Sequence, residues 1–113
     1  MRTTVAVIFL LAMGAYGQNI PFQHDGLNRQ YRIHIPENIQ TNAPLVIALH
    51  GYSGNNNDMI SNYGWVELAD ERGFVVACPN GTVDQLGSRF WDVDYDFHPQ
   101  LDIDDDGFVV ALA

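Results

Sequence analysis

An α/β fold is the class this sequence predicts, and three observations carry it. Two runs, "LVIAL" at 45–49 and "FVVACP" at 74–79, are continuously apolar, as strands covered on both faces of a parallel sheet are. Between them, residues 58–72 place Trp65, Leu68 and Ala69 at helical spacing. A strand, a helix and a second strand this close in sequence make a right-handed parallel crossover the default connection.

The chain begins with Arg2, the apolar run "VAVIFLLAM" and then "GAYG". That is the pattern of a secretory signal ending at Gly17, with Gln18 as the mature terminus. The run is too short to span a bilayer, so a secreted protein with no membrane span in its mature part is expected. Residues 18–113 then form the α/β portion. Asp25-Gly26 is a hairpin turn pair between two short strands. In the second strand Tyr31, Ile33 and Ile35 alternate with Gln30, Arg32 and His34, which predicts one wet face. Pro36 ends it, and Pro44 introduces the first buried run. One helix over 58–72 closes at Gly73 with Arg72 in its last turn. Residues 80–101 read as loop, and the acids Asp102 to Asp106 open a second helix, "GFVVALA".

With 113 residues there is room for one domain at most, and 47% hydrophobic content predicts a packed core. Formal net charge is -9, and the five basic residues are all arginine. Such a surface repels phosphate backbones and argues against nucleic-acid binding. Cys78 is an odd thiol in a chain read as secreted; its apolar run predicts burial, with a disulfide to another chain as the alternative. No Cys/His cluster suggests a metal centre, and no cofactor is expected.

The chemistry concentrates at "HGYSGNN". Gly51-Tyr52-Ser53-Gly54 nearly matches the G-x-S-x-G elbow of serine hydrolases, but position 55 is Asn where the sharp turn needs Gly. Ser53 is therefore not read as a nucleophile. A His-Gly turn after a buried strand can instead aim backbone N–H groups of Tyr52 and Ser53 at a developing oxyanion, with His50 and Gly51 structural. From the residues alone, an ordinary strand-to-helix turn is equally open. "DIDDDG" places Asp102, Asp104 and Asp106 at calcium-loop positions, but position twelve is Ala113 rather than Glu. A calcium-dependent binding module is the alternative reading of the chain. Trp91 is a candidate substrate-binding wall or a core cover. Asn80-Gly81-Thr82 is a glycosylation sequon, relevant in a eukaryotic source.

Taken in order, "HDGLNRQYRIHIP", "PLVIALHGYSGN", "LADERGFVVACPNGT", "FWD" and "DIDDDGF" resemble the N-terminal part of secreted esterases related to polyhydroxybutyrate depolymerases and feruloyl esterases. The resemblance implies an α/β-hydrolase fold and serine-esterase chemistry on a polymeric or small ester substrate. It also implies that His50-Gly51-Tyr52 is the oxyanion loop, that Trp91 lies near the site, and that the helix from Gly107 leads to the nucleophile strand. Nucleophile, acid and base are then expected beyond Ala113. On that reading the chain is an N-terminal fragment, inactive alone, with an apolar sheet edge left open.

Overall fold

The computed structural model describes residues 18–98 and 101–113, so the run read as a secretory signal, up to Gly17, lies outside the described residues. In order, the chain forms β1 (Ile20–His24), β2 (Leu27–His34), β3 (Leu45–Ile47), α1 (Asn56–Asn62), α2 (Trp65–Arg72), β4 (Val75–Pro79), β5 (Thr82–Val83), β6 (Arg89–Phe90) and α3 (Asp105–Leu112). Four strands make one mixed sheet in the order β1-β2-β4-β3, and β5 and β6 make a separate ribbon. The class is mixed α/β, with β3 and β4 parallel and Val46 opposite Val76.

Asp25 (φ 52°) and Gly26 (φ 76°) both lie in the left-handed region, the geometry that makes Asp-Gly a tight hairpin turn between β1 and β2. β2 then pairs antiparallel with β4, Arg32 opposite Cys78 and His34 opposite Val76. Opposed residues share a face, so these four point to one side of the sheet. The expectation of a wet face at Gln30, Arg32 and His34 is corrected here, because α1 and α2 cover that side. Arg32 Nε donates to Asn56 Oδ1 at 3.4 Å, and His34 Nε2 lies 2.7 Å from Asp70 Oδ1. Long polar side chains can lay their stems under a helix and keep their tips at its polar edge, which the alternation alone does not distinguish from solvation.

The single helix expected over 58–72 is two helices. Gly64, at φ 78°, turns the chain between them. Asn55 caps α1 by accepting from the Asp58 N–H at 2.8 Å. Gly73 ends α2 with φ 77° and its N–H on the Ala69 carbonyl. Ile60 and Ala69 from the helices meet Ala48, Val76 and Cys78 from the sheet, with Met59, Trp65, Val66 and Phe74 around them. Cys78 is a free, fully buried thiol in this core. Burial pushes its pKa up to about 11, which leaves it an inert apolar filler.

Val46 and Ala48 face that core, and strand alternation sends Leu45 and Leu49 to the other side. There they are 40% and 44% exposed. Cover on both faces of this run was expected; among the described residues one face is covered. Near the hairpin the second face is filled by α3, whose Phe108 is fully buried against Phe22 at 5.7 Å between ring centroids. Asp104 caps α3 by accepting from the Gly107 N–H at 3.1 Å. A side chain at Gly107 would collide with that carboxylate. Among the described residues, no helix is long and apolar enough to cross a membrane.

Candidate functional site

The backbone turns sharply where β3 ends. The Gly54 N–H donates to the Gly51 carbonyl at 3.0 Å and closes a four-residue turn. Ser53, its third residue, sits at φ 69°, where turns of this kind favour Gly or Asn. A serine there carries strain on the order of 1–2 kcal/mol. Gly54 has no room for a side chain, since a Cβ would lie 3.1 Å from the Gly51 carbonyl oxygen and 3.2 Å from His50 Cβ. The two glycines that evoke an elbow therefore serve a tight turn.

Four contacts tie this turn to the β5–β6 ribbon and its flanks. His50 is 3% exposed; its Nε2 accepts from the Gly81 N–H at 3.0 Å, and its Nδ1 lies 2.7 Å from the Gly51 carbonyl. One tautomer satisfies both bonds, with the proton on Nδ1. Burial lowers the His50 pKa, and the Gly51 bond only partly opposes it, so the ring is neutral near pH 7. Trp91 donates its indole N–H to the His50 carbonyl at 2.8 Å and packs at a tilt against the ring. The Ser53 N–H donates to the Arg89 carbonyl at 2.8 Å. The Tyr52 hydroxyl donates to Asp84 Oδ2, also at 2.8 Å.

These bonds separate the two expected oxyanion donors. Ser53 is corrected as a donor, because its N–H already serves Arg89. The Tyr52 N–H meets no acceptor among the described residues, although His50 and Ser53 on either side are both pinned. A fixed turn with one free amide can stabilise a charge that develops in front of it, because no reorganisation is needed at that moment. Trp91 is half-buried, and its polar edge faces the loop backbone.

Asp84 organises the outer side of the site. Its side chain has no exposed surface. Oδ2 takes the Tyr52 hydroxyl and His98 Nε2 (2.9 Å), while Oδ1 takes the Leu86 and Ser88 N–H groups, both at 2.9 Å. Burial pushes the carboxyl pKa up, but the donors His98, Ser88, Tyr52 and Leu86 outweigh it and hold the group well below the usual range. The same bond to Asp84 raises the Tyr52 phenol. His98 and Asp84 resemble the base and acid of a triad, and both line a mainly apolar cavity of about 210 Å³. His98 Nδ1 has no hydrogen-bond partner and the ring lies against Phe90 and Phe97, so the pair has no hydroxyl to activate.

Asp84, Arg89 and His98 were not singled out from sequence, and Gly81 only as the middle of the sequon. "TVDQLGSRF" does carry a signal: β-prone pairs flank an Asp that bonds the amide two residues on, followed by Gly. A side chain at Gly81 would collide with the Phe90 carbonyl, which explains the glycine beneath the His50 ring.

Two other sequence candidates are placed elsewhere. The helix α3 starts at Asp105, so positions four and five of the supposed calcium loop are already helical. Asp104 bonds His24, and Asp105 bonds Arg29. Among the described residues, no three His, Cys, Asp or Glu side chains gather to hold a metal ion. The calcium reading is corrected accordingly: Asp104 caps the helix and bonds His24, and Asp105 pairs with Arg29. Asn80 is 5% exposed, and its Oδ1 accepts the Asn56 N–H at 2.8 Å. The sequon's Asn80 is thus a packed residue in this structure rather than one on an open loop.

No protein-family model matches the chain. It is 37% identical over 71 residues to the bifunctional acetylxylan esterase/xylanase XynS20E of Neocallimastix patriciarum, covering 63% of this chain and 10% of that protein. It is 29% identical over 76 residues to feruloyl esterase B of Thermothelomyces thermophilus, covering 66% of this chain and 26% of that protein. The chain thus spans about a tenth and about a quarter of these curated relatives. Its relationship is to esterases of the carbohydrate-esterase kind.

Proposed function

We propose that this chain is the oxyanion-loop portion of a secreted serine esterase with an α/β-hydrolase fold, acting on acyl groups carried by polysaccharide. The observation that carries the reading is the Tyr52 N–H, free in a turn that is otherwise bonded on every side. In acyl transfer a nucleophile adds to the ester carbonyl and its oxygen becomes anionic; a fixed amide donor lowers that barrier. Acylated polysaccharide is favoured over a polyester because one relative is named for acetylxylan and the other for feruloyl groups. Within this chain His50 is not available as a base, since both its ring nitrogens are engaged, and the Ser53 hydroxyl has no hydrogen-bonded base among the described residues.

The test exploits the turn. Tyr52 is its second residue, a position that accepts Pro. In the natural esterase, Tyr52→Pro removes the N–H and Tyr52→Ala keeps it. We expect kcat on acetylated or feruloylated xylan to fall about 10²–10³ further for Pro than for Ala. Equal kcat values in the two variants would sink the oxyanion role. Hydrolysis by purified residues 18–113 that vanishes in Ser53→Ala would replace it with Ser53 as nucleophile.

A further inference from the structure

A polar pocket of about 220 Å³ is lined by residues that include Arg29, Asn80, Thr82 and Arg89. Two atoms of these lining residues, Arg29 Nη1 and Thr82 Oγ1, are buried without a hydrogen-bond partner. Leaving such groups unpaired is costly, and more so for a charged one. The pocket holds more than one water, because it is many times the ~10–15 Å³ that a single water needs.

Charge narrows the occupant. The Arg29 side chain is 2% exposed and paired with Asp105 at 2.7 Å through its other terminal nitrogen. Arg89 donates one bond to the Gly81 carbonyl at 2.7 Å, and among the described residues no carboxylate lies within ion-pairing distance of it. No acid lines the pocket, although the chain carries net charge -9. The wall therefore holds one guanidinium charge that is not already balanced. A single negative charge with two acceptor oxygens complements it, since guanidinium and carboxylate match as planar groups. A dianion such as phosphate brings more charge than the wall balances.

We propose that this pocket binds the carboxylate of a small organic acid. The inference goes beyond the esterase reading and does not depend on it, because binding is read without hydrolysis. Two sources share this chemistry: a free acid, and a carboxylate borne on a sugar.

The experiment titrates the full chain, labelled with nitrogen-15, with sodium acetate, sodium glucuronate, glucose and inorganic phosphate at constant ionic strength. We expect saturable shifts of the Thr82 amide and the Arg89 Nε–H with the carboxylates, none with glucose, and weaker ones with phosphate. Tighter binding of acetate assigns a free acid, and tighter binding of glucuronate a sugar acid. Arg89→Gln and Thr82→Val should each weaken binding about tenfold or more. Thr82→Val removes a hydroxyl without a partner, so its fold should survive and make the loss readable. The proposal is overturned if neither carboxylate shifts these resonances, if glucose or phosphate binds as well, or if both variants bind like the parent.

Discussion

Trp91 holds His50 twice: its indole N–H donates to the His50 carbonyl at 2.8 Å, and the two rings meet at a tilt with centroids 4.9 Å apart. Trp91→Phe keeps a ring contact and loses the bond. The expected cost is about 1 kcal/mol in a denaturant melt. On the proposed esterase reading, this variant should lower kcat more than it raises KM, because the loop that carries the Tyr52 N–H loosens. An unchanged kcat with a raised KM would instead give Trp91 a substrate-wall role.

Ser53→Gly should stabilise the protein by about 1 kcal/mol, because glycine accepts φ 69° without the penalty that serine carries. The backbone bond from residue 53 to Arg89 is retained. Thermal melting checks the sign, and a lower melting temperature would contradict the turn geometry.

Asp105 and Arg29 are both buried, with side chains 4% and 2% exposed. Asp105→Asn leaves the guanidinium without its counter-charge. A loss of about 3–5 kcal/mol is expected, larger than for Asp104→Asn at the more exposed end of the same helix. Chemical denaturation of the two variants ranks them. A ranking in the other order would place the anchor of α3 at its cap.

Stability should fall in two stages as the solution is acidified. His50 has its pKa lowered from 6.5 in the folded chain. Its contribution is fully present above 6.5 and declines below it, where the unfolded chain takes up a proton that the folded ring resists. Asp84 and Asp104 are lowered from 3.8. Hydrogen bonds from His24 and Gly107 cause the Asp104 shift, and for Asp84 the donors overcome burial. Their contribution is present above 3.8 and is lost as the pH falls through their folded values. Melting temperatures taken from about pH 8 downward test this; no decline between about pH 6.5 and pH 4 would contradict the His50 stage.

The parts legible from sequence are those with a period or a required dihedral. Continuous apolar runs marked β3 and β4, and Asp25-Gly26 marked the hairpin because few residue pairs tolerate two left-handed angles. The break at Gly64 was hidden, since apolar spacing continues through it from Ile60 to Leu68. Strands of two residues, Thr82–Val83 and Arg89–Phe90, are too short to show alternation at all. Asp84 was legible only as a turn residue. Its donors come from Tyr52, Leu86, Ser88 and His98, and only folding brings position 52 to position 84. In the loop, sequence pointed to the right turn but could not tell which amide the ribbon engages.

The place of β4 sets a schedule for synthesis. It lies between β2 and β3 in space but follows both in the chain. While the ribosome has delivered only the residues before Val75, those strands have no common neighbour, and helices of seven and eight residues do not hold themselves together in water. The hairpin can close early from local contacts, yet the sheet waits for one five-residue segment, Val75–Pro79, to emerge and slide into the gap. Pauses in translation just before that segment leave Leu45 to Leu49 waiting in the cell with nothing to pair against.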